Sequence, residues 1–223
     1  HLDRLPARAD VLDAGGGTGG YALSLAELGH QVWVADFSAP MLEAAQQKAA
    51  ERDPELLDRI RFCQLSVQDI PVHFGAGQFD LVLCHTLLEY VEDPWATLAC
   101  LGLPLRSGGL LSLLFVNTYA GPLRWALGKG EIERARASLE HEPLSADLFG
   151  LSRHTFAEGQ LSEALAALDM DLLATYGVRV LADYLPGSKL TDEAHWTRVF
   201  DLEASMGQRF PYKDIARYGY LVA

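Results

Sequence analysis

The sequence predicts an α/β protein built on a doubly wound, mostly parallel sheet, and three observations carry that prediction. Val11-Leu12-Asp13-Ala14 is a short apolar run that passes directly into a glycine cluster, Gly15 to Gly20, with apolar side chains at helical spacing from Tyr21 to Leu28. Strand-like and helix-like segments then alternate along the chain. Phe79 to His85 and Leu110 to Val116 are nearly unbroken apolar runs, as expected of strands covered on both faces.

Each element follows in order. Gln31 to Asp36 reads as the second strand, with Asp36 at its carboxyl end. Ser38 is placed to cap a helix that tolerates Pro40 in its first turn and runs through Met41, Leu42, Ala45 and Ala49 to about Arg52. Asp53-Pro54 ends that helix, and Ile60 to Leu65 is the third strand. Asp93-Pro94 opens a helix over Trp95 to Leu103, and Ser107-Gly108-Gly109 turns the chain into the fifth strand at Leu110. Residues 117–154, with several charges, Pro122, Pro143 and scattered glycines, read as a helical insertion or lid after that strand. Thr155 to Leu168 reads as a helix, Asp171 to Leu181 and Tyr218 to Ala223 as the last strands, and Asp192 to Met206 as the helix between them. The whole of 1–223 is expected to be one domain.

Composition narrows the function. A formal charge of −12 argues against broad, sequence-independent nucleic-acid binding, which rests on Lys and Arg neutralising phosphates. Cys63, Cys84 and Cys100 are odd in number and lack C-x-x-C spacing, so buried thiols in a reducing compartment are expected, with no disulfide and no metal. No apolar run reaches bilayer-spanning length and no basic-then-apolar leader opens the chain, which makes the cytoplasm the expected location. The chain opens on His1, so some natural N-terminal residues are expected to be absent.

The glycine turn fits two cofactors. Gly15, Gly17 and Gly20 satisfy the dinucleotide pattern G-x-G-x-x-G, while Asp13, Gly15, Gly17 and Gly19 satisfy D-x-G-x-G-x-G, which resembles the first motif of class I methyltransferases that use S-adenosylmethionine. Glycines let the backbone approach a ligand, and the following helix aims unpaired N–H groups at it. Asp36 suits both cofactors, because a carboxylate there accepts from ribose hydroxyls. Asp69 tilts the balance: in Val67-Gln68-Asp69, after the third strand, its carboxylate is placed to accept from an adenine amino group while the Val67 or Gln68 backbone meets the ring. Phe37 and Met41 are candidates to sandwich that adenine.

The chain further resembles the tRNA 5-carboxymethoxyuridine methyltransferases. The likeness is carried by Val11 to Gly17, Gly29-His30-Gln31-Val32, His85 to Pro94, Gly177-Val178-Arg179-Val180, Asp183-Tyr184-Leu185 and Leu202-Glu203. It implies a class I methyltransferase sheet of order 3-2-1-4-5-7-6 with the last strand antiparallel, and cofactor contacts at Gly15, Gly16, Asp36, Val67 and His85. It also implies methyl transfer to the carboxylate of a modified wobble uridine, with tRNA as partner. The insertion departs from a lysine-rich pattern, since Glu131, Glu133, Glu140 and Glu142 stand beside Arg134 and Arg136.

A carboxylate acceptor needs no general base, having an ordinary pKa of ~4. An alcohol or phenol acceptor would use one, and His85 is the candidate. Arg179 suits a carboxylate by bidentate pairing, and Asn117, Tyr119 and Tyr184 are further acceptor-side candidates. Glu89 reads as a helix-start or pocket-wall acid. Arg198, Arg209, Lys213 and Arg217 lend the C-terminal part positive charge. Three other readings stay open: a small-molecule O-, N- or C-methyltransferase, a non-catalytic SAM-binding subunit, and a dinucleotide oxidoreductase.

Overall fold

In the computed structural model the described residues are 2–140, 154–185 and 193–223. Seven strands form one sheet in the order β3-β2-β1-β4-β5-β7-β6. They are β1 (Asp10–Ala14), β2 (Gln31–Asp36), β3 (Ile60–Gln64), β4 (Phe79–His85), β5 (Leu105–Val116), β6 (Ala174–Val178) and β7 (Tyr218–Val222). Strands β3, β2, β1 and β4 run parallel. Leu111 and Ala223 exchange both backbone hydrogen bonds, at 2.7 and 3.0 Å, and the Asn117 N–H donates to the Arg217 carbonyl. Residue numbers fall along β7 as they rise along β5, so β7 is antiparallel, as the resemblance implies.

The chain divides into two compact units, His1–Leu113 with Val222–Ala223, and Leu114–Leu221. In the first, α1 (Gly20–Glu27), α2 (Ala39–Arg52), α3 (Ile70–Phe74) and α4 (Pro94–Gly102) alternate with the strands. Leu12, Val32, Val34 and Val82 are fully buried, and Ala22, Ala26, Ala45, Ala49, Leu98 and Leu101 supply the helix faces of this core. Each such Leu or Val contributes about 1.5–3 kcal/mol by leaving water. Asp93 caps α4, its Oδ1 accepting from the Trp95 and Ala96 N–H groups at 3.0 Å each. Ser38 occupies the cap position of α2 but makes no side-chain cap bond.

Register sets the site. Ala14 pairs with Ala35 on one side and Cys84 on the other, and Asp36 pairs with Gln64. The carboxyl ends of β1, β2 and β4 therefore meet at one sheet edge, with β1 at the point where the strand order reverses, the place where open α/β sheets hold ligands.

The second unit carries α5 (Gly121–Leu123), which continues into a π-helical turn at Arg124–Gly128, then α6 (Ile132–Ala137), α7 (Glu158–Ala166) and α8 (Glu193–Gly207). The expected insertion is thus helical over 118–140 apart from a short break at Gly130 and Glu131; residues 141–153 of it lie outside the described residues. Its core includes Phe115, Phe156, Leu161, Leu165 and Leu221.

Three elements and the burial of two cysteines differ from what the sequence predicts. Strand β5 starts at Leu105, because Gly108 at φ +76° bends the strand without ending it. Helix α7 starts only at Glu158, since Phe156 uses its N–H and C=O to bond Val116 and Thr118 in an extended bridge with Asn117. Strand β6 is shorter than 171–181 and stops before Arg179, which adopts φ +61°. Of the cysteines expected to be buried, only Cys84 is; Cys63 and Cys100 are partly exposed.

Candidate active site

The turn after β1 is shaped by what surrounds its glycines. Gly15 has φ +68°, and a Cβ there would meet Leu87 at 2.8 Å. At Gly16 a Cβ would lie 2.8 Å from the Asp13 carboxylate and 2.9 Å from Val34. No side chain fits at either position, so the turn presents bare backbone, and the Gly15 N–H ties it to β2 through the Ala35 carbonyl at 2.7 Å. Gly17 is held differently, its N–H donating to Asp36 Oδ2 at 2.9 Å, while Asp36 Oδ1 accepts from the Ser38 N–H at 2.9 Å. Asp36 therefore cross-links the glycine turn to the start of α2, and each oxygen keeps a lone pair for a further donor.

Asp13 lies beneath this turn, 2% exposed, and its Oδ2 has no hydrogen-bond partner. Burial pushes its carboxyl up to about 7, against the opposing pull of the Ala22 amide, and the Asp36 charge adds to the rise. A buried acid of this kind is suited to a cationic neighbour.

A cavity of about 240 Å³ opens beside the turn. Gly15, Asp36, Phe37, Val67, Gln68 and Tyr90 are among its lining residues. Phe37 is 77% exposed, a large apolar ring held in solvent at the cavity wall. The other expected cofactor residues stand outside this lining. Asp13, Gly16 and Gly17 form the turn and its floor, and Met41 and Asp69 are exposed.

His85, at the end of β4, has Nε2 2.8 Å from Ser112 Oγ and packs edge-on against the Tyr21 ring at 4.5 Å between centroids. Burial lowers its pKa to about 4, so the imidazole is neutral at neutral pH. Glu89 is fully buried, and its charge joins burial in pushing the Cys84 thiol upward, which leaves that thiol protonated and inert.

The expected acceptor-side residues fall in the second unit. Arg179 pairs with Asp183 Oδ1, and Arg217 Nη1 donates to Asp183 Oδ2 at 2.6 Å, so one carboxylate is gripped by two guanidiniums. Tyr184 follows on the same short turn, Ala182–Tyr184. Burial raises the Tyr184 phenol, Asp183 adds to the rise, and Arg217 and Arg124 oppose it. Glu203 of α8 holds this turn from behind. Its two oxygens accept from the Val180, Leu181 and Ala182 N–H groups at 2.7, 2.8 and 2.6 Å.

Asn117 does structural duty. Its amide donates to the Asp214 and Ala216 carbonyls, and its Oδ1 accepts from the Tyr119 N–H. Asn117 and Tyr119 line a separate cavity of about 460 Å³ together with Tyr176 and Lys213, whose charge is taken by Glu158 and Asp214 at 2.6 and 3.1 Å. Arg198 and Arg209 are exposed. Among the described residues no cluster of His, Cys, Asp and Glu could hold a metal ion, and no helix is long and apolar enough to cross a membrane.

Arg124, Asp183 and Glu203 were not marked as site residues by the sequence. Asp183 and Glu203 stood inside resembling segments, a signal without a role. Arg124 carried no motif.

Comparison with known proteins gives this geometry a family. Residues 12–113 match the methyltransferase domain model. The chain is 33% identical to the tRNA 5-carboxymethoxyuridine methyltransferase of Escherichia coli (strain K12) over 230 aligned positions, spanning all of this chain and 84% of the relative. It is 36% identical over 112 positions to the ubiquinone biosynthesis O-methyltransferase of Xanthomonas axonopodis pv. citri, spanning 50% of this chain and 45% of that one. Its fold is that of a SAM-dependent methyltransferase from Methanosarcina mazei, with TM-score 0.65 and 16% identity over 99% of this chain and 93% of the other. A glycine turn at the strand-order reversal, an acid at the end of β2 and a relative aligned along the whole chain agree: this chain is a class I SAM-dependent methyltransferase and belongs to the family of the tRNA 5-carboxymethoxyuridine methyltransferases.

Proposed function

We propose that this enzyme transfers the methyl group of S-adenosylmethionine to the carboxylate of 5-carboxymethoxyuridine at the wobble position of a tRNA, in the cytoplasm, as a single catalytic domain with 117–154 as its lid. The observation that carries the reading is the length of the likeness: the 33% identity to the E. coli enzyme runs through all of this chain, beyond the half that the O-methyltransferase shares.

The residues fit such a cofactor. Gly15, Gly16 and Gly17 are the backbone face for its carboxylate and amino end, with the partnerless Asp13 oxygen beneath them suited to an ammonium. Asp36 would hold the ribose hydroxyls with its remaining lone pairs. Phe37, Val67 and Gln68 line the cavity that would take the adenine, and Asp69 and Met41 are exposed outside that lining. When bound, the cofactor supplies an electrophilic methyl group on sulfur.

The protein's part is orientation and exclusion of water. A carboxylate acceptor arrives ionised at neutral pH, so no proton has to leave it. The state of His85 agrees, because a base with a pKa of about 4 does little for an alcohol acceptor. His85 instead fixes the end of β4 through Ser112, and Arg179 and Tyr184 serve on the acceptor side.

The test is incubation of the purified chain with SAM and tRNA carrying 5-carboxymethoxyuridine, followed by nucleoside mass spectrometry. The methyl ester is expected. Turnover of small phenols or alcohols with none on tRNA would transfer the assignment to small-molecule methylation, and SAM binding without turnover on any acceptor would indicate a non-catalytic subunit.

A further inference from the structure

The cavity of about 460 Å³ takes no part in the function proposed above, although its volume suits a small molecule. Its described lining residues all belong to the second unit, from the end of β5, the start of α7, strands β6 and β7 and the turn Tyr212–Ile215. Its apolar side follows from register. Leu111 pairs with Ala223, so Phe115 stands opposite Gly219, where a Cβ would overlap the Phe115 ring. Glycine there makes room for the ring. Tyr119, Tyr176 and Tyr220 also line the cavity, with the Tyr176 and Tyr220 ring centroids 6.0 Å apart.

The polar side is acidic. Glu158 and Glu163 of α7 and Asp214 bring three carboxylates, and Lys213 is the one cation among the described lining residues. The Lys213 ammonium lies 2.6 Å from Glu158 Oε2 and 3.1 Å from Asp214 Oδ1. Burial works against that charge, but its hydrogen bonds to Glu158 and Asp214 outweigh burial and push the lysine's pKa up. The cavity thus already keeps one ammonium in its charged form. Asn117 steadies the arrangement by donating to the Asp214 carbonyl at 2.8 Å. Three carboxylates against one ammonium leave two negative charges uncancelled. Among the described residues the Glu163 side chain has no hydrogen bond or ion pair.

Rings and carboxylates together select one class of ligand. Aromatic rings attract cations through their negative faces, and carboxylates accept hydrogen bonds from ammonium N–H groups. An anion would be repelled by the net charge. A single metal ion does not fit either, because no three of the described His, Cys, Asp and Glu side chains stand close enough to ligate one. Carboxylates spread this widely match an extended organic ion. We propose that this cavity binds a small organic cation, an amine or a quaternary ammonium ion, through Glu163 and the remaining oxygens of Glu158 and Asp214. The site is independent of the acceptor proposed above.

The test is calorimetric titration of the full chain with tetramethylammonium chloride and with 1,4-diaminobutane, at ionic strength held constant with sodium chloride. S-adenosylhomocysteine is present throughout to occupy the cofactor cavity. Saturable binding of at least one probe is expected. Binding of the diamine alone assigns the site to N–H hydrogen bonding, binding of tetramethylammonium alone to the rings, and binding of both to charge. Saturation by neither overturns the site.

Variants with opposite signs locate the binding. Glu163→Gln should weaken it about fivefold, the scale of an exposed ion pair. Lys213→Met releases Glu158 and Asp214 to the ligand and should strengthen it about tenfold. Glu43→Gln, which removes the same charge from the exposed face of α2, should change nothing. An unchanged affinity in Glu163→Gln or no gain in Lys213→Met overturns the site, and an equal loss in Glu43→Gln does so too, by showing a general charge effect. Should Lys213→Met fail to fold, Glu163→Lys at the same exposed helix position decides the matter. It should abolish binding, and retained binding overturns the proposal.

Discussion

In the first unit the turn beside the candidate cofactor cavity is bare main chain: Gly15 and Gly16 leave no room for a side chain, and Asp36 ties Gly17 to the start of α2. In the second unit the candidate acceptor region is made of side chains, with Arg179, Arg217 and Asp183 bonded together and Glu203 holding three successive amides behind them. A main-chain cradle admits one shape of ligand and tolerates little change. A side-chain cluster can be retuned one residue at a time. The contrast matches the jobs proposed for them, a fixed cofactor in one and a variable acceptor in the other.

The largest effect is expected at Asp13. Its carboxyl is raised from 3.8 to about 7 in the folded chain, so the folded state holds a proton that the unfolded state has released. Stability from this group is then complete below the unfolded pKa and lost as pH rises through the folded one, a fall of up to about 4 kcal/mol between pH 4 and 8. Asp13→Asn should remove that slope and raise the thermal midpoint of the ligand-free protein at pH 8, while leaving it nearly unchanged at pH 4. An unaltered pH profile would show that the charge is not buried as described.

Next comes Gly16→Ala, which puts a methyl group against the Asp13 carboxylate and Val34. Overpacking of this kind costs about 1–3 kcal/mol, and SAM affinity measured by calorimetry should fall with it. Asp36→Asn should follow, with a loss of about tenfold in SAM affinity from weakened hydrogen bonds. Neither change should alter the acceptor KM, and a shared loss would break the division between the two.

Glu203→Gln acts on the other side. It leaves amides of residues 180–182 poorly satisfied, at a cost of about 1–3 kcal/mol. The acceptor KM should rise with SAM affinity unchanged, which distinguishes a positioning role from general unfolding. The smallest effect concerns His85. With its pKa near 4, it should add no inflection to kcat/KM between pH 6 and 9. An inflection near 6.5 would restore it as a general base.

Sequence reading reached these two regions unequally, for physical reasons. The first strands, the glycine turn and Asp36 were readable because a buried parallel strand and a ligand-bearing turn impose contiguous patterns on a few residues, whereas the strand order followed only from the family resemblance. The start of β5 was misplaced because Ser107-Gly108-Gly109 carries a turn signal, whereas Gly108 only bends a continuing strand. The start of α7 was misplaced because Phe156 pairs with Asn117, a tertiary contact with no local signature. The cluster around Tyr184 was half visible: Arg179 and Tyr184 lie five residues apart, but Arg124 and Arg217 come from distant parts of the chain. Only folding brings them together, so no spacing could reveal them.

The most direct test of this division of labour is a calorimetric comparison of Asp36→Asn and Glu203→Gln, each titrated with S-adenosylhomocysteine and with the carboxymethoxy-modified stem-loop. The predicted result is a crossed pattern, with Asp36→Asn losing only the nucleoside product and Glu203→Gln losing only the RNA. Equal losses of both ligands in both variants would contradict it.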